Sequence, residues 1–197
     1  MSRYILPPSP ARTPAARVML EPLSVLNFHA DTDFTVEERT WLKESAKALI
    51  YQTSGLLRVS ISFDMDFHNE RFPDGLDETT PLMIRLDETS PLVEKVDTDK
   101  HAHVLAFTND QLKRVWIIGP RLYGNWDTTK MWERVTMHEI LHAAGLDHTP
   151  NDGQSLMYPL SNEDHLSTCL NETDAKEFCR VFRGEGCRPE TILGCAP

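Results

Sequence analysis

Three of the chain's eight histidines lie within eleven residues, in the stretch HEILHAAGLDH that begins at His138. His142 follows four residues later, so the two side chains lie on one face of a helix, one turn apart. Two imidazoles placed in this way can bind one metal ion, and zinc prefers nitrogen ligands in a tetrahedral arrangement. His148 can join them only if the helix ends and the chain turns back. Gly145 lies where that turn is needed, and glycine accepts the positive φ that commonly ends a helix.

Three protein ligands leave the fourth position of a zinc ion open to water, which is typical of catalytic rather than structural zinc sites. Glu139 follows the first histidine, and its carboxylate is the candidate for the general base that takes a proton from the zinc-activated water. An isolated H-E-x-x-H also occurs in helices that bind no metal. The glycine and the third histidine at a matching distance distinguish this stretch. We therefore predict one catalytic zinc ion bound by His138, His142 and His148, with Glu139 as the catalytic residue.

The elements that would position these residues follow from capping signals and hydrophobic periodicity. A helix that begins at the capping box TVEE runs from Thr35 to about residue 52. A second helix, capped by Asp127 or Thr128 and running to about Leu146, carries the histidines, and a third begins at the segment NETD. Strands are predicted at residues 57–67, 82–86, 103–107 and 114–119.

The order of these elements is helix, several strands, helix, irregular segment and helix. Strands and helices do not alternate, so the sequence predicts an α+β fold with a mixed, twisted sheet. Strand 114–119 is apolar on both faces, as expected for a strand inside the sheet. We predict an extended arm over residues 1–24, one folded domain over residues 25–183 and a cysteine-containing tail over residues 184–197.

The composition argues against several classes of protein. The chain has 197 residues and a formal net charge of −10, which argues against nucleic acid and anionic membranes as partners. No apolar run approaches the roughly 20 residues of a membrane-spanning helix. We expect a soluble globular protein with one core.

The first 24 residues contain five prolines between Pro7 and Pro22, which is typical of an extended arm. Only Tyr4, Ile5 and Leu6 stand together before the first proline, whereas a secretory signal needs roughly 7–15 consecutive apolar residues. We therefore expect no secretory signal in this stretch. An ordered arm of this composition would need a contact that holds it, and a protein partner is one candidate.

All four cysteines lie within the last 29 residues: Cys169, Cys179, Cys187 and Cys195. No pair has the C-x-x-C spacing of a zinc knuckle, so we predict two disulfide bonds, with their pairing open and reduced, buried thiols as the alternative. Cys179 lies on the apolar face of the last helix, and a bond from it would attach the tail to the domain. Disulfides favour an extracellular or assembly-associated, oxidising location, although no secretory signal is visible. Localisation therefore stays open.

The segment SLMYP adds a second pattern downstream of the histidines. Met157 lies nine residues after His148, beyond a loop predicted at residues 150–153. A lone methionine is most often core filler. HEILHAAGLDH followed by SLMYP, however, resembles the metzincin zinc endopeptidases, and within them the matrixins. Their pattern is H-E-x-x-H-x-x-G-x-x-H with a methionine turn beneath the metal.

This resemblance implies a zinc-dependent endopeptidase that acts on peptides or proteins. It implies a metzincin-like catalytic domain with a long first helix, an active-site helix and a C-terminal helix. Met157 would form a packing floor and would not bind the zinc. A peptide would lie extended along a sheet edge, for which HVLAF at residues 103–107 is the candidate, with one side chain in a pocket beside the zinc. The wall of that pocket would be formed by Tyr158, Pro159 and Leu160.

The sequence departs from the related enzymes at several points. No cysteine precedes Cys169, so a cysteine-switch propeptide of the matrixin type is not expected. Pro159 stands where astacin-like and serralysin-like enzymes carry a metal-binding tyrosine, so Tyr158 is not assigned as a ligand. A second, structural metal is a minor alternative. Imidazoles for such a site could come from His68, His101 and His103.

Two other functions stay open. One is a structural or binding component of a larger assembly, such as a virion or an injection apparatus, that keeps a metzincin fold. The arm and the missing signal and propeptide favour it, whereas the intact Glu139 and three histidines argue against it. The other is a buried structural zinc, or no metal at all.

Overall fold

The computed structural model of the chain describes residues 23–67, 80–96, 104–123, 127–149, 151–159, 167–182, 187–192 and 194. All but the last two residues of the predicted arm lie outside these ranges. The domain boundaries and a partner for the arm therefore remain predictions. Five further residues singled out by the sequence also lie outside the described ranges: His68, His101, His103, Leu160 and Cys195.

Five strands form one mixed sheet in the order β2-β1-β3-β5-β4. The strands are β1 (Ser24–Asp31), β2 (Leu57–Met65), β3 (Leu82–Leu86), β4 (Ala106–Asn109) and β5 (Arg114–Ile118). β1 pairs in parallel with β2 and β3, and β3 pairs in parallel with β5. β4 is antiparallel to β5 and lies at one edge. The predicted mixed sheet is confirmed, and β5 lies inside it as its apolar character indicates.

β1 is a strand that the sequence analysis missed, because the first element was expected at the first helix. Leu26, Phe28 and Ala30 are buried, whereas Val25 and Asn27 are exposed. This alternation is that of a half-buried strand, but an exposed valine beside a proline-rich segment weakens the signal. The strand is stabilised by pairing on both sides, which a local pattern does not reveal.

The first helix, α1 (Val36–Gln52), begins at the predicted capping box. The Glu38 backbone N–H donates to Thr35 Oγ1 at 3.2 Å, and the Thr35 N–H donates to Glu38 Oε2 at 2.8 Å. Glu38 is fully buried, and its carboxylate also accepts from Arg85 Nε in β3 at 3.0 Å and from the Tyr123 hydroxyl at 3.2 Å. The cap therefore also fixes the start of α1 against the sheet.

The other strands agree with the predictions to within two residues, except β4. The pattern predicts a strand at residues 103–107, whereas β4 begins at Ala106 and ends at Asn109. Leu105 still contacts β5, since its carbonyl accepts from the Ile118 N–H at 2.9 Å. Pairing then continues through the polar residues that the pattern excluded, up to the turn into β5. A short helix, α2 (Pro91–Val96), was also not predicted.

The main core lies between one face of the sheet and the helices α1 and α3 (Thr128–Ala143). Trp132 of α3 is fully buried there, with its ring 5.7 Å from that of Trp41 in α1 and 6.4 Å from that of Phe34. A smaller cluster around Ile84 and Val93 covers the opposite face. Within the described ranges, none of the helices is long and apolar enough to cross a membrane.

The last helix, α4 (Glu172–Val181), begins at NETD, where Asn171 is the N-cap. Its Cys179 forms a disulfide bond with Cys187. This bond attaches the start of the tail to α4, as predicted. Cys169 is also disulfide-bonded, and Cys195 lies outside the described residues.

Removing the Cys179–Cys187 bond is expected to lower the free energy of unfolding by about 2–3 kcal/mol, because the cross-link restricts the unfolded chain. The double substitution Cys179→Ser and Cys187→Ser tests this bond without reducing the disulfide of Cys169. Thermal unfolding of the variant and the wild type, with the same metal content, measures the difference. An unchanged free energy of unfolding in the double variant would contradict this expectation. So would labelling of Cys179 and Cys187 as free thiols in the native wild-type protein.

Candidate metal centre

Helix α3 carries His138 and His142, and it ends before His148, so that the chain can turn back toward them. Asp127 caps its start. At the other end, Gly145 has a φ of +99°, and the Leu146 N–H donates back to the Leu141 carbonyl at 3.0 Å. This left-handed turn is the geometry that glycine accepts at a helix end. The chain then reverses and brings His148 back toward the helix.

The three predicted zinc ligands converge through the same ring atom. Nε2 of His142 lies 3.0 Å from Nε2 of His138 and 3.1 Å from Nε2 of His148. The third side of this triangle, between His138 and His148, measures 3.2 Å. Nitrogen ligands at the usual zinc distance of about 2.0–2.1 Å would lie about 3.3–3.4 Å apart in a tetrahedral shell. The triangle is therefore close in size to one face of a zinc tetrahedron.

Two backbone carbonyls fix which ring nitrogen carries the proton. His138 Nδ1 lies 2.8 Å from the Leu156 carbonyl oxygen, and His142 Nδ1 lies 2.7 Å from the Leu146 carbonyl oxygen. A carbonyl can only accept, so each Nδ1 carries the hydrogen and each Nε2 presents a lone pair. Lone pairs that face one another at about 3 Å repel unless a cation lies between them. The donor set therefore fits a divalent metal ion bound by neutral imidazoles.

The surroundings of the histidines also favour the neutral ring. Burial, reinforced by the neighbouring His142, lowers the pKa of His138 to about 3. Burial likewise lowers the pKa of His142 and of His148. Neutral imidazole is the form that binds zinc. Only 9% of His138 is exposed, whereas His148 is an exposed residue, so the cluster opens to solvent on the His148 side.

Glu139 lies beside the cluster on α3, with 5% of its surface exposed. The Thr108 hydroxyl in β4 donates a hydrogen bond to Glu139 Oε2 at 2.5 Å. Burial raises the pKa of Glu139 to about 7, although the hydrogen bond from Thr108 acts in the opposite direction. A carboxyl group with a pKa near neutrality can both accept and release a proton.

The predicted methionine turn packs against the segment that follows His148. Met157 is fully buried, and its carbonyl accepts a hydrogen bond from the Thr149 N–H at 2.9 Å. Of the three residues predicted to line a substrate pocket, Tyr158 is half-buried and Pro159 is exposed. Leu160 lies outside the described residues. The pocket therefore remains a prediction.

A buried carboxylate that the sequence analysis did not single out holds this turn. Asp174, in the first turn of α4, has no exposed surface. Its Oδ2 accepts from the Leu156 N–H at 2.9 Å and from the Asn171 N–H at 3.1 Å. Its Oδ1 accepts from the Ser155 hydroxyl. The only sequence signal was the place of Asp174 in the capping box, which predicts the cap but not the partners in the turn.

A buried arginine holds the same segment from the side of α3. Arg134 lies about one helical turn before His138 and is 1% exposed. Its guanidinium donates to the carbonyls of Tyr158 at 2.8 Å, Ser167 at 3.1 Å and Leu156 at 3.2 Å. Burial lowers the pKa of Arg134 to about 10, so the side chain is still charged at neutral pH. Because the Leu156 carbonyl also accepts from His138 Nδ1, one peptide group joins this arginine to a predicted zinc ligand.

Asp174→Asn is expected to lower the free energy of unfolding by about 2–3 kcal/mol. The Asn oxygen can keep the two backbone N–H donors of Oδ2, but an uncharged amide accepts them more weakly, and its nitrogen displaces the hydrogen bond that the Ser155 hydroxyl donates to Oδ1. Urea unfolding of variant and wild type, at the same metal content, measures the loss. Glu172→Gln makes the same chemical change at an exposed position of the same helical turn and should unfold like the wild type. Equal stability of Asp174→Asn would contradict a structural role for this carboxylate.

The sequence matches the matrixin family of peptidases (peptidase M10) over residues 15–183. Because this match covers well over half of the chain, the protein belongs to the matrixin family. It is a metallopeptidase with a metzincin-type fold, and its family implies zinc as the cofactor and peptides or proteins as substrates. The match begins within the predicted arm.

A solved structure with a similar fold is archaemetzincin from Methanopyrus kandleri, determined by crystallography at 1.5 Å resolution. The similarity has a TM-score of 0.56 and covers 88% of this chain and 100% of that one, at 14% sequence identity. At this identity, the likeness supports a shared metzincin fold and nothing about substrates. A search among curated proteins finds no significant match.

Proposed function

We propose that the protein is a zinc-dependent endopeptidase, with one catalytic zinc ion bound by His138, His142 and His148 and with Glu139 as the general base. The observation that carries the proposal is the triangle of Nε2 atoms, with sides of 3.0–3.2 Å, beside a buried carboxylate. When bound there, zinc would polarise the scissile carbonyl group and lower the pKa of a water molecule. Met157 would be the packing floor of the site.

Glu139 would move the protons of the reaction. Its carboxylate would accept a proton from the attacking water and pass it to the leaving amine. A pKa near 7 suits a group that must do both at neutral pH. Its position next to His138 on the same helix keeps the carboxylate beside the metal ligands without making it one of them.

The outer edge of β4, which pairs with no other strand among the described residues, offers a surface for an extended peptide. The Leu105 carbonyl accepts from the Ile118 N–H, so this part of the chain directs its backbone groups toward β5. Because this direction alternates along an antiparallel strand, Ala106 and Thr108 direct their N–H and carbonyl groups away from β5. A substrate could pair there as an added strand, next to Glu139, which Thr108 contacts. Tyr158, Pro159 and Leu160 would form the wall of a pocket for one substrate side chain.

Cleavage of a pool of quenched fluorescent peptides tests this function. We expect hydrolysis by the zinc-loaded protein, loss of hydrolysis after a chelator removes the metal, and recovery when zinc is returned. A protein that binds zinc at the three histidines and cleaves no peptide or protein would instead favour the alternative. In that case, it would be a structural or binding component of a larger assembly.

A further inference from the structure

Thr108 contacts the proposed general base, Glu139, directly. Its hydroxyl oxygen lies 2.5 Å from Glu139 Oε2 and 3.3 Å from the Glu139 backbone carbonyl oxygen. The carbonyl oxygen is the more distant acceptor, so the hydroxyl hydrogen is directed mainly to the carboxylate. Glu139 Oε1 accepts no hydrogen bond from the described residues. The two oxygens of this carboxylate are therefore in different surroundings.

The contact joins two elements that are far apart in the sequence. Thr108 lies on β4, and Glu139 lies 31 residues further on, in α3. A second hydrogen bond supports the same junction, because Lys113, in the turn between β4 and β5, donates from Nζ to the Ala143 carbonyl at 2.9 Å. The end of the sheet and the end of α3 are thus held together at two points. Relative movement of Thr108 and Glu139 is correspondingly restricted.

We propose that Thr108 is the positioning residue of Glu139: it holds Oε2, so that Oε1 is the oxygen that meets the attacking water. This inference rests on the proposed peptidase function. A glutamate side chain has three rotatable bonds, and a single charge-assisted hydrogen bond to one oxygen selects one orientation of the carboxylate. Proton transfer requires the base within about 2.6–3.2 Å of its partner, so a freely turning carboxylate would be in place only part of the time.

The same residue would also contact the substrate, through its backbone. Thr108 directs its N–H and carbonyl groups to the outer edge of β4, while its side chain faces Glu139. A change of side chain alone leaves the backbone groups available to a peptide. Loss of the hydroxyl should therefore lower kcat and leave KM nearly unchanged.

Two substitutions separate the hydroxyl from the size of the side chain. Thr108→Val keeps the β-branched shape and removes the donor, whereas Thr108→Ser keeps the donor. We expect kcat to fall by about 10- to 100-fold in Thr108→Val, with KM within about twofold of the wild type. Thr108→Ser should recover most of the lost kcat.

Thr136→Val is the matched control. Thr136 is fully buried in α3, and its hydroxyl has no hydrogen-bond partner in the part of the chain that the structure describes. The same Thr-to-Val change there removes no such bond, so kcat should stay near the wild-type value. An equal fall in kcat in Thr136→Val would show that the effect comes from packing of the helix, and it would overturn the inference.

A second readout does not depend on hydrolysis. The carboxyl ¹³C resonance of Glu139, assigned by its absence from Glu139→Gln, should move in Thr108→Val and stay in place in Thr108→Ser. Full kcat in Thr108→Val, or equal losses in the Val and Ser variants, would overturn the positioning role. If the wild type cleaves no peptide, the proposed peptidase function is wrong, and only the Glu139 resonance tests the role of Thr108. An identical Glu139 resonance in the wild type, Thr108→Val and Thr108→Ser would then also refute the hydrogen bond between Thr108 and Glu139.

Discussion

Replacing Glu139 by glutamine is expected to lower the rate of peptide hydrolysis by at least about 100-fold while leaving zinc bound. The amide has the size of the carboxylate but cannot accept the proton. Its oxygen can still accept the hydrogen bond from Thr108, so the side chain should stay in place. The three histidines are unchanged. Hydrolysis rate and zinc content, measured on one preparation, therefore separate loss of the base from loss of the metal.

Glu133→Gln provides the control for the Glu139 variant. This glutamate lies on the same helix and is only partly buried, so the same substitution there should leave both hydrolysis and zinc content unchanged. A Glu139→Gln protein that cleaves peptides as fast as the wild type would refute the role of Glu139, while leaving the fold intact. Loss of zinc together with activity would contradict the view that Glu139 is not a ligand.

His148→Ala should produce the largest effect on metal binding. The substitution leaves two imidazoles of the three. Loss of a group that only hydrogen-bonds to a metal ligand lowers metal affinity by roughly 10- to 100-fold, so loss of the ligand itself should lower zinc affinity by more than that. Because His148 is exposed and follows the turn at Gly145, the metal-free fold should not depend on it. Competition with a chromogenic zinc chelator measures the affinity, and circular dichroism of the metal-free protein checks the fold.

His29→Ala is the corresponding control. His29 lies in β1, and its side chain is 37% exposed and pairs with Asp64 at 3.0 Å, so it should not influence zinc affinity. If His148→Ala bound zinc as tightly as the wild type, the third ligand would be wrongly assigned. If both variants lost zinc to the same degree, the loss would reflect general destabilisation rather than removal of a ligand.

The part of the site that the sequence predicted best is the part that depends on local geometry. Four-residue spacing on a helix puts His138 and His142 on one face whatever the rest of the fold does. The turn at Gly145 could also be predicted locally, because the positive φ is a property of that residue and its neighbours. The helix α1 followed in the same way from its capping box.

The residues that support the site could not be predicted in this way, because their partners are distant in the sequence. Arg134 resembles any charged helix residue until the fold brings the carbonyls of Leu156 and Tyr158 to its guanidinium. Asp174 belongs to a helix cap by its sequence, and its second set of partners appears only when the methionine turn packs against α4. Thr108 was missed for a related reason, since the strand pattern ended before it and its partner lies on another element.

The strand errors have the same origin. Hydrophobic alternation reports which residues face a core, whereas the ends of a strand depend on how far its neighbour continues to pair. β4 extends through Thr108 and Asn109 because β5 lies opposite them, although both residues are polar. β1 exists because β2 and β3 pair with it on either side.

Titration of the metal-free protein with zinc, with bound zinc and peptide hydrolysis followed in the same samples, tests whether one zinc ion at the three histidines supports catalysis. We expect both signals to rise together and to reach a plateau at one zinc ion per chain, because one complete set of three ligands converges beside Glu139. Hydrolysis that is already complete without zinc would contradict this claim. So would one tightly bound zinc ion per chain with no hydrolysis of any peptide.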